Sequence, residues 1–235
     1  MVYRIVITPE QKQDEIVVLN PPQQHYLQRV LRMTSGDRII LMDGQGQSWL
    51  AQLEGNFAHI LEPIITSTEL PLPITLITAL PKGSGYEDIV RCCTELGVNT
   101  FIPVISDRTI LKPSPNKVER WRKIATEAAE QSERQIVPQI INPIKFTEAI
   151  HQTINFESDR YICVARGDLP TLWSCLTKVP EREIIIATGC EGGWTPQEVK
   201  QAIQQGFQAV SLGNRILRAI TAPMVAVTIV TVTLN

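Results

Sequence analysis

Glu183-Ile184-Ile185-Ile186-Ala187-Thr188-Gly189-Cys190-Glu191-Gly192-Gly193-Trp194-Thr195-Pro196 reads as a buried strand, a glycine-rich turn and a capped helix start. Glycines in such a turn let a ligand approach the backbone closely, and the N–H groups of the turn can donate to it. Phosphate is the usual guest at this kind of place. No G-K-[ST] follows, so the turn is not a P-loop, and no G-x-G-x-x-G is present, so it is not a dinucleotide fingerprint. A tight strand–helix turn with no ligand is the competing reading, and the pattern alone does not separate the two.

Outward from this stretch the chain alternates strand and helix, the sign of an α/β domain with a mainly parallel sheet. Strands are expected at 74–79, 100–105, 160–165, 183–187 and 209–212, and helices near 86–96, 117–133, 147–153 and 196–205. Asn116 with Glu119, and Thr195 with Glu198, fit the capping box. The last strand runs into Leu212-Gly213-Asn214-Arg215-Ile216-Leu217-Arg218, where two arginines bracket an apolar pair. That pair suits a pocket wall with an arginine reaching an anion; a loop with solvated arginines is the plainer alternative. Lys117, Arg120, Arg122, Lys123 and Arg134, with Arg108 and Lys112 upstream, form the one marked basic concentration, which also reads as a salt-bridged helix face. Residues 223–234 are rich in Val, Ile and Thr, and propensity alone makes them a strand.

Leu70-Pro71-Leu72-Pro73 is the best linker, dividing the chain into domains of 1–70 and 74–235. The first 70 residues carry short strands near 4–8, 16–19, 38–42, 48–53 and 58–66, with Ser35-Gly36-Asp37 and Asp43-Gly44-Gln45-Gly46 as turns. One helix capped by Asn20 interrupts them, and the whole suggests a small β-barrel. Composition sets bounds on function. The 235 residues carry 22 Lys and Arg against 24 Asp and Glu, so bulk charge does not hold this chain to nucleic acid. Five cysteines without C-x-x-C and three dispersed histidines form neither a disulfide framework nor a metal site. No signal peptide or membrane span is expected, and a reducing cytoplasm is the expected location.

The blocks Val30-Leu31-Arg32, Thr94-Glu95-Leu96-Gly97-Val98, Glu127-Ala128-Ala129-Glu130-Gln131-Ser132, Glu191-Gly192-Gly193 and Arg215-Ile216-Leu217-Arg218, in this order, resemble the RsmE family. Its members are small-subunit ribosomal RNA methyltransferases of the SPOUT superfamily that modify N3 of a uridine in 16S rRNA with S-adenosylmethionine. The likeness spans nearly the whole chain. It implies an N-terminal PUA-like β-barrel for RNA and a C-terminal α/β domain with a trefoil knot, whose final segment, 219–234, is a helix. It implies a homodimer in the cytoplasm acting on 16S rRNA within the 30S subunit, with no membrane and no metal.

By the same resemblance, the cofactor pocket is made by knot loops, here Ala165, Thr188, Gly189, Glu191, Gly192, Gly193, Leu212, Gly213, Ile216 and Leu217. Arg108, Arg134 and Arg218 are the candidates for substrate charge, and Arg4, His25 and Arg32 for RNA contact by the barrel. Two positions depart from the family pattern. Cys190 stands where the family usually has proline, and Ile220 where it has glutamate. A binding or ribosome-assembly protein that retains the fold, with weakened catalysis, is the alternative that Ile220 favours. A Rossmann-type nucleotide enzyme is a third reading, opposed by the missing fingerprint.

Overall fold

The computed structural model describes residues 2–153, 157–176 and 180–234; the outermost residues of the two expected domains, Met1 and Asn235, lie outside these. Residues up to Glu69 together with Thr126–Val137 make one compact unit, and Leu70–Ala125 with the chain from Pro138 onward make the other. The linker reading puts the division at the same place in the chain but keeps 126–137 with the C-terminal domain. The structure assigns that segment to the first unit.

In the first unit, β1 (Arg4–Val6), β2 (Lys12–Gln13), β3 (Ile16–Val18), β4 (Arg38–Met42), β5 (Ser48–Glu54) and β6 (Phe57–Pro63) form one sheet in the order β1-β4-β5-β6-β3-β2. The β1–β4 pair is parallel and the other pairs are antiparallel. Alternate residues of these strands, among them Ile5, Val17, Ile39, Leu41, Ala51 and Ala58, close on one apolar core. Helix α1 (Pro21–His25) begins as its sequence dictates. Asn20 accepts from the Gln23 N–H at 2.9 Å, and Gln23 returns the bond to the Asn20 N–H.

The segment 126–137 is tied to this unit by polar bonds that its sequence does not advertise. The Glu69 carboxylate accepts from Arg134 Nη2 at 2.7 Å and from the backbone N–H groups of Gln135 and Ile136. Gln135 Nε2 donates to Ser48 Oγ, and Glu130 Oε1 accepts from the Val6 N–H at 2.7 Å. A charged donor on a nearly buried carboxylate is among the stronger hydrogen bonds a protein makes.

In the second unit, β7 (Ile74–Ala79), α2 (Gly85–Glu95), β8 (Thr100–Ile105), α3 (Pro115–Gln131, of which residues 126–131 belong to the first unit), β9 (Gln139–Ile140), β10 (Ile144–Lys145), α4 (Phe146–Gln152), β11 (Ser158–Cys163), α5 (Leu172–Cys175), β12 (Glu183–Thr188), α6 (Pro196–Gln204), β13 (Gln208–Val210) and α7 (Thr221–Leu234) follow one another. The sheet order is β10-β8-β7-β12-β11-β13, all parallel, with β9 beside β8. Strand alternation sends Ile184 and Ile186 to one face with Leu76, Tyr86 and Trp121, and Ile185 and Ala187 to the other with Ile77, Phe146 and Trp194. Both faces are therefore covered, which is why these strands are continuous apolar runs.

Two local expectations are corrected. Helix α3 starts at Pro115, with Ser114 O accepting from Lys117 and Val118 N–H, so Asn116 is not its cap. Proline suits the first helical position because its missing N–H would have no partner there. Residues 221–234 are helical despite their β-like composition, as the family resemblance implies. Thr228 and Thr233 bond back to the carbonyls of Met224 and Ile229, and Pro223, Ala226, Val227, Val230 and Leu234 are buried. Burial of one helical face outweighs a few tenths of a kcal/mol per residue of propensity.

Burial pushes the Glu130 carboxyl up to about 7, against the lowering effect of its bond to Val6. The folded state therefore holds its proton more tightly than the unfolded state, and stability is lost as pH rises from about 4.5 toward 7 and beyond. Glu130→Gln removes this titration. Denaturant unfolding at pH 5 and pH 8 should show the variant gaining on wild type by about 1–2 kcal/mol at the higher pH.

Candidate functional site

Strands β12, β11 and β13 are neighbours and parallel, so their C-terminal ends leave one edge of the sheet together. Ligands of open α/β sheets gather at that edge. The segments after these strands, with Arg108 from the loop after β8, line a cleft of about 670 Å³. That is the size of a small-molecule site.

One wall is the glycine turn. The Gly193 N–H donates to Cys190 O at 2.8 Å, and Gly193 sits at φ +65°, where a side chain is strained. A Cβ on Gly189 would lie 3.1 Å from Gly193 Cα and 3.2 Å from its carbonyl carbon, so the two arms of the turn touch through backbone. Beyond it, Thr195 and Glu198 form the expected capping box on α6. Glu198 is 3% exposed, and its second oxygen accepts from the Asp107 N–H at 2.9 Å. One carboxylate thus fastens the loop after β8 to the helix that follows the turn.

Arg108 stands on that fastened loop. Its Nη1 donates to Gly192 O at 2.5 Å and to Trp194 O at 3.4 Å. A Cβ on Gly192 would come within 3.0 Å of Arg108 Cδ and 3.1 Å of its Cβ. Glycine at 192 is what lets the arginine stem lie against the turn. Both of these bonds use Nη1, leaving Nε–H and Nη2 as further donors on the same rigid plane. Trp194 is 8% exposed and stacks on Phe146 with ring centroids 4.3 Å apart. Its Nε1 is buried without a partner among the described residues.

The opposite wall comes from the 211–220 loop. Ser211 Oγ accepts from the Gly213 N–H, and Arg218 O accepts from Thr221 and Ala222 N–H, which starts α7. Ile220 lines the cleft and packs on the first residue of α2: a Cβ on Gly85 would lie 2.6 Å from Ile220 Cδ1. The carboxylate position of the family pattern is here an apolar contact. Cys163 also lines the cleft, and burial pushes its thiol up to about 12, so it stands as a neutral thiol rather than a nucleophile.

The structure brings together Ala165, Thr188, Gly189, Glu191, Gly192, Gly193, Leu212, Gly213, Ile216 and Leu217, all on this cleft, with Arg108 and Arg218. Arg134 is 4% exposed in the first unit, paired with Glu69. That pairing makes it a fastening of the 126–137 segment within the first unit. Arg4 is paired with Glu133 and its side chain is 17% exposed, whereas His25 and Arg32 are exposed. Arg166 and Arg215 also line the cleft; Arg215 is one of the arginine pair that brackets Ile216 and Leu217, whereas no sequence motif singles out Arg166. Arg166 directly follows an expected strand, and strand ends are the signal that points to it.

Comparison with known proteins gives a family model described as an RNA methyltransferase domain over residues 68–231, and an RNA methyltransferase PUA domain over 19–60. A relative from Synechocystis sp., ribosomal RNA small subunit methyltransferase E, is 50% identical over 231 residues, covering 96% of this chain and 76% of the relative. The protein of that name from Bacillus subtilis is 32% identical, covering 86% and 84%. Among solved structures, ribosomal RNA small subunit methyltransferase E from Neisseria gonorrhoeae, bound to S-adenosyl methionine, matches with a TM-score of 0.88 and 34% identity, covering 97% of this chain and 95% of that one.

The backbone contact at Gly189 makes a strong test of the turn. Gly189→Ala should lower stability by about 1–2 kcal/mol, read as a drop of a few degrees in the unfolding midpoint. Ala187→Gly, in the strand before it, should leave the turn's crystallographic geometry intact.

Proposed function

The chain belongs to the RsmE family of small-subunit ribosomal RNA methyltransferases, and from that premise we propose that it methylates N3 of a uridine in 16S rRNA with S-adenosylmethionine. The observation that carries the reading is the single cleft in which the glycine turn, the 211–220 loop and Arg108 meet.

The residues present fit the cofactor. The glycine turn presents backbone without side chains at Gly189, Gly192 and Gly193 to the cleft, and Leu212, Ile216 and Leu217 give apolar cover for a flat base. S-adenosylmethionine supplies a methyl group on a sulfonium, already activated for in-line displacement. The protein's part is positioning and electrostatics. Uridine N3 carries a proton at neutral pH and is a weak nucleophile until that proton leaves. Arg108, held by the turn carbonyls, and Arg218 lower this barrier by donating to O2 or O4 as negative charge develops there. N3 lies on the pairing edge, so the base enters the cleft unpaired.

His25 and Arg32, exposed on the first unit, are our candidates for RNA contact there. A total charge of −2 favours a shaped, preassembled target, the 30S subunit, over bare RNA. The homodimer that the family implies is supported by α7. It is apolar on all sides, and Val232 on it is 62% exposed, as is Ile216 beside the cleft. A helix of that kind asks for cover on its second face. The knotted path is part of this reading, supported by α7 packing against β7, β12, α2 and α5. No helix among the described residues is long and apolar enough to cross a membrane, and five free cysteines suit a reducing cytoplasm.

Deleting the gene should remove one 3-methyluridine from 16S rRNA by mass spectrometry, and the wild-type gene should restore it. Arg108→Ala should bind S-adenosylmethionine by calorimetry while losing about 10²–10³ in kcat. Unchanged methylation would discard the role of Arg108. Val232→Lys should shift the mass by light scattering from dimer to monomer; a wild-type monomer would discard the dimer.

A further inference from the structure

We propose that Arg166 and Arg215 are positioning residues that grip the phosphates flanking the target nucleotide, an inference that rests on the methyltransferase reading. The cleft is lined by four guanidiniums, Arg108, Arg166, Arg215 and Arg218, against one carboxylate, Glu191. That is a local net of +3 in a chain whose total is −2. The cofactor does not account for the excess: its one carboxylate can pair with a single guanidinium, while its ammonium and sulfonium make it a net cation. The excess therefore answers to a second, anionic occupant.

Arg108 is engaged with carbonyls of the turn. Arg166 and Arg215 are exposed, and neither has a hydrogen-bond or ion-pair partner among the described residues. They stand on different loops, after β11 and after β13, yet the two loops are stitched together. Ser211 N–H donates to Pro170 O at 2.8 Å, and Leu172 N–H donates to Ser211 O at 2.9 Å, around a parallel bridge between Thr171 and Ser211. The two cations thus project from one braced rim, which lowers the ordering cost of gripping a backbone. Phosphate contacts set register and orientation while the cleft reads the base.

The test uses the full-length protein, small ribosomal subunits with unmethylated rRNA, and monovalent salt from 50 to 200 mM at fixed magnesium. Arg166→Gln and Arg215→Gln should each raise the KM for subunits about tenfold with kcat within about threefold. Each should also reduce the slope of log KM against log salt by about 0.7, the double variant by about twice that. Affinity for S-adenosylmethionine by calorimetry should stay within about twofold. Lys200→Gln, an exposed cation of α6 away from the cleft lining, should leave the slope unchanged. Unchanged slopes in the arginine variants overturn the proposal, as does an equal loss in Lys200→Gln, which marks a diffuse field. Weakened cofactor binding in either variant also overturns it, by making that arginine a cofactor contact. Wild type that binds no S-adenosylmethionine refutes the methyltransferase reading itself.

Discussion

Strand β12 is hydrogen-bonded on both sides, to β7 and to β11, and β11 in turn holds β13. Because every one of these pairs is parallel, the strands must release their chains at the same edge. Three loops then emerge side by side, and each has little room to go anywhere but over the sheet end. The cleft follows from this crowding. Strand register places Thr188, Cys163 and Val210 at the strand ends, and the glycines come immediately after β12, where backbone has to approach backbone.

Crowded loops hold a shape only when their polar groups are answered. Here two acidic side chains do much of that. Glu198 caps its own helix and also holds the Asp107 N–H, so Arg108 is set over the glycine turn by a helix-capping residue. Glu69 gathers one guanidinium and two backbone N–H groups in the first unit. Each carboxylate is a small hub, and the cost of burying it is offset by the number of donors that converge on it. The same economy appears at Arg108, which anchors through Nη1 and keeps its other donors for whatever enters the cleft.

The two departures from the family pattern fall on this frame and are absorbed by it. Cys190 is 6% exposed, and its carbonyl closes the turn by accepting from Gly193 N–H, a bond that proline at 190 would permit equally. Ile220 fills the space above Gly85, where a larger residue at 85 would collide with it. Position 220 thus offers the cleft no carboxylate, and the carboxylate on its lining is Glu191.

Local sequence determined a good deal. The apolar runs at Ile74–Ala79 and Glu183–Thr188, the Asn20 and Thr195 caps, and the glycine turn were legible because each expresses a short-range rule of burial, capping or backbone freedom. The family resemblance extended this to the ten residues expected in the pocket, since a family pattern records contacts that local rules cannot reach. Tertiary structure decided three matters that local residue preference does not reach. It turned the Val- and Thr-rich C-terminus into a helix, because burying one face of α7 outweighs a weak residue preference. It paired Arg134 with Glu69, 65 residues distant in the chain. It brought Arg166 and Arg215, from loops after separate strands, to one rim, because only the adjacency of β11 and β13 in the sheet makes those loops neighbours.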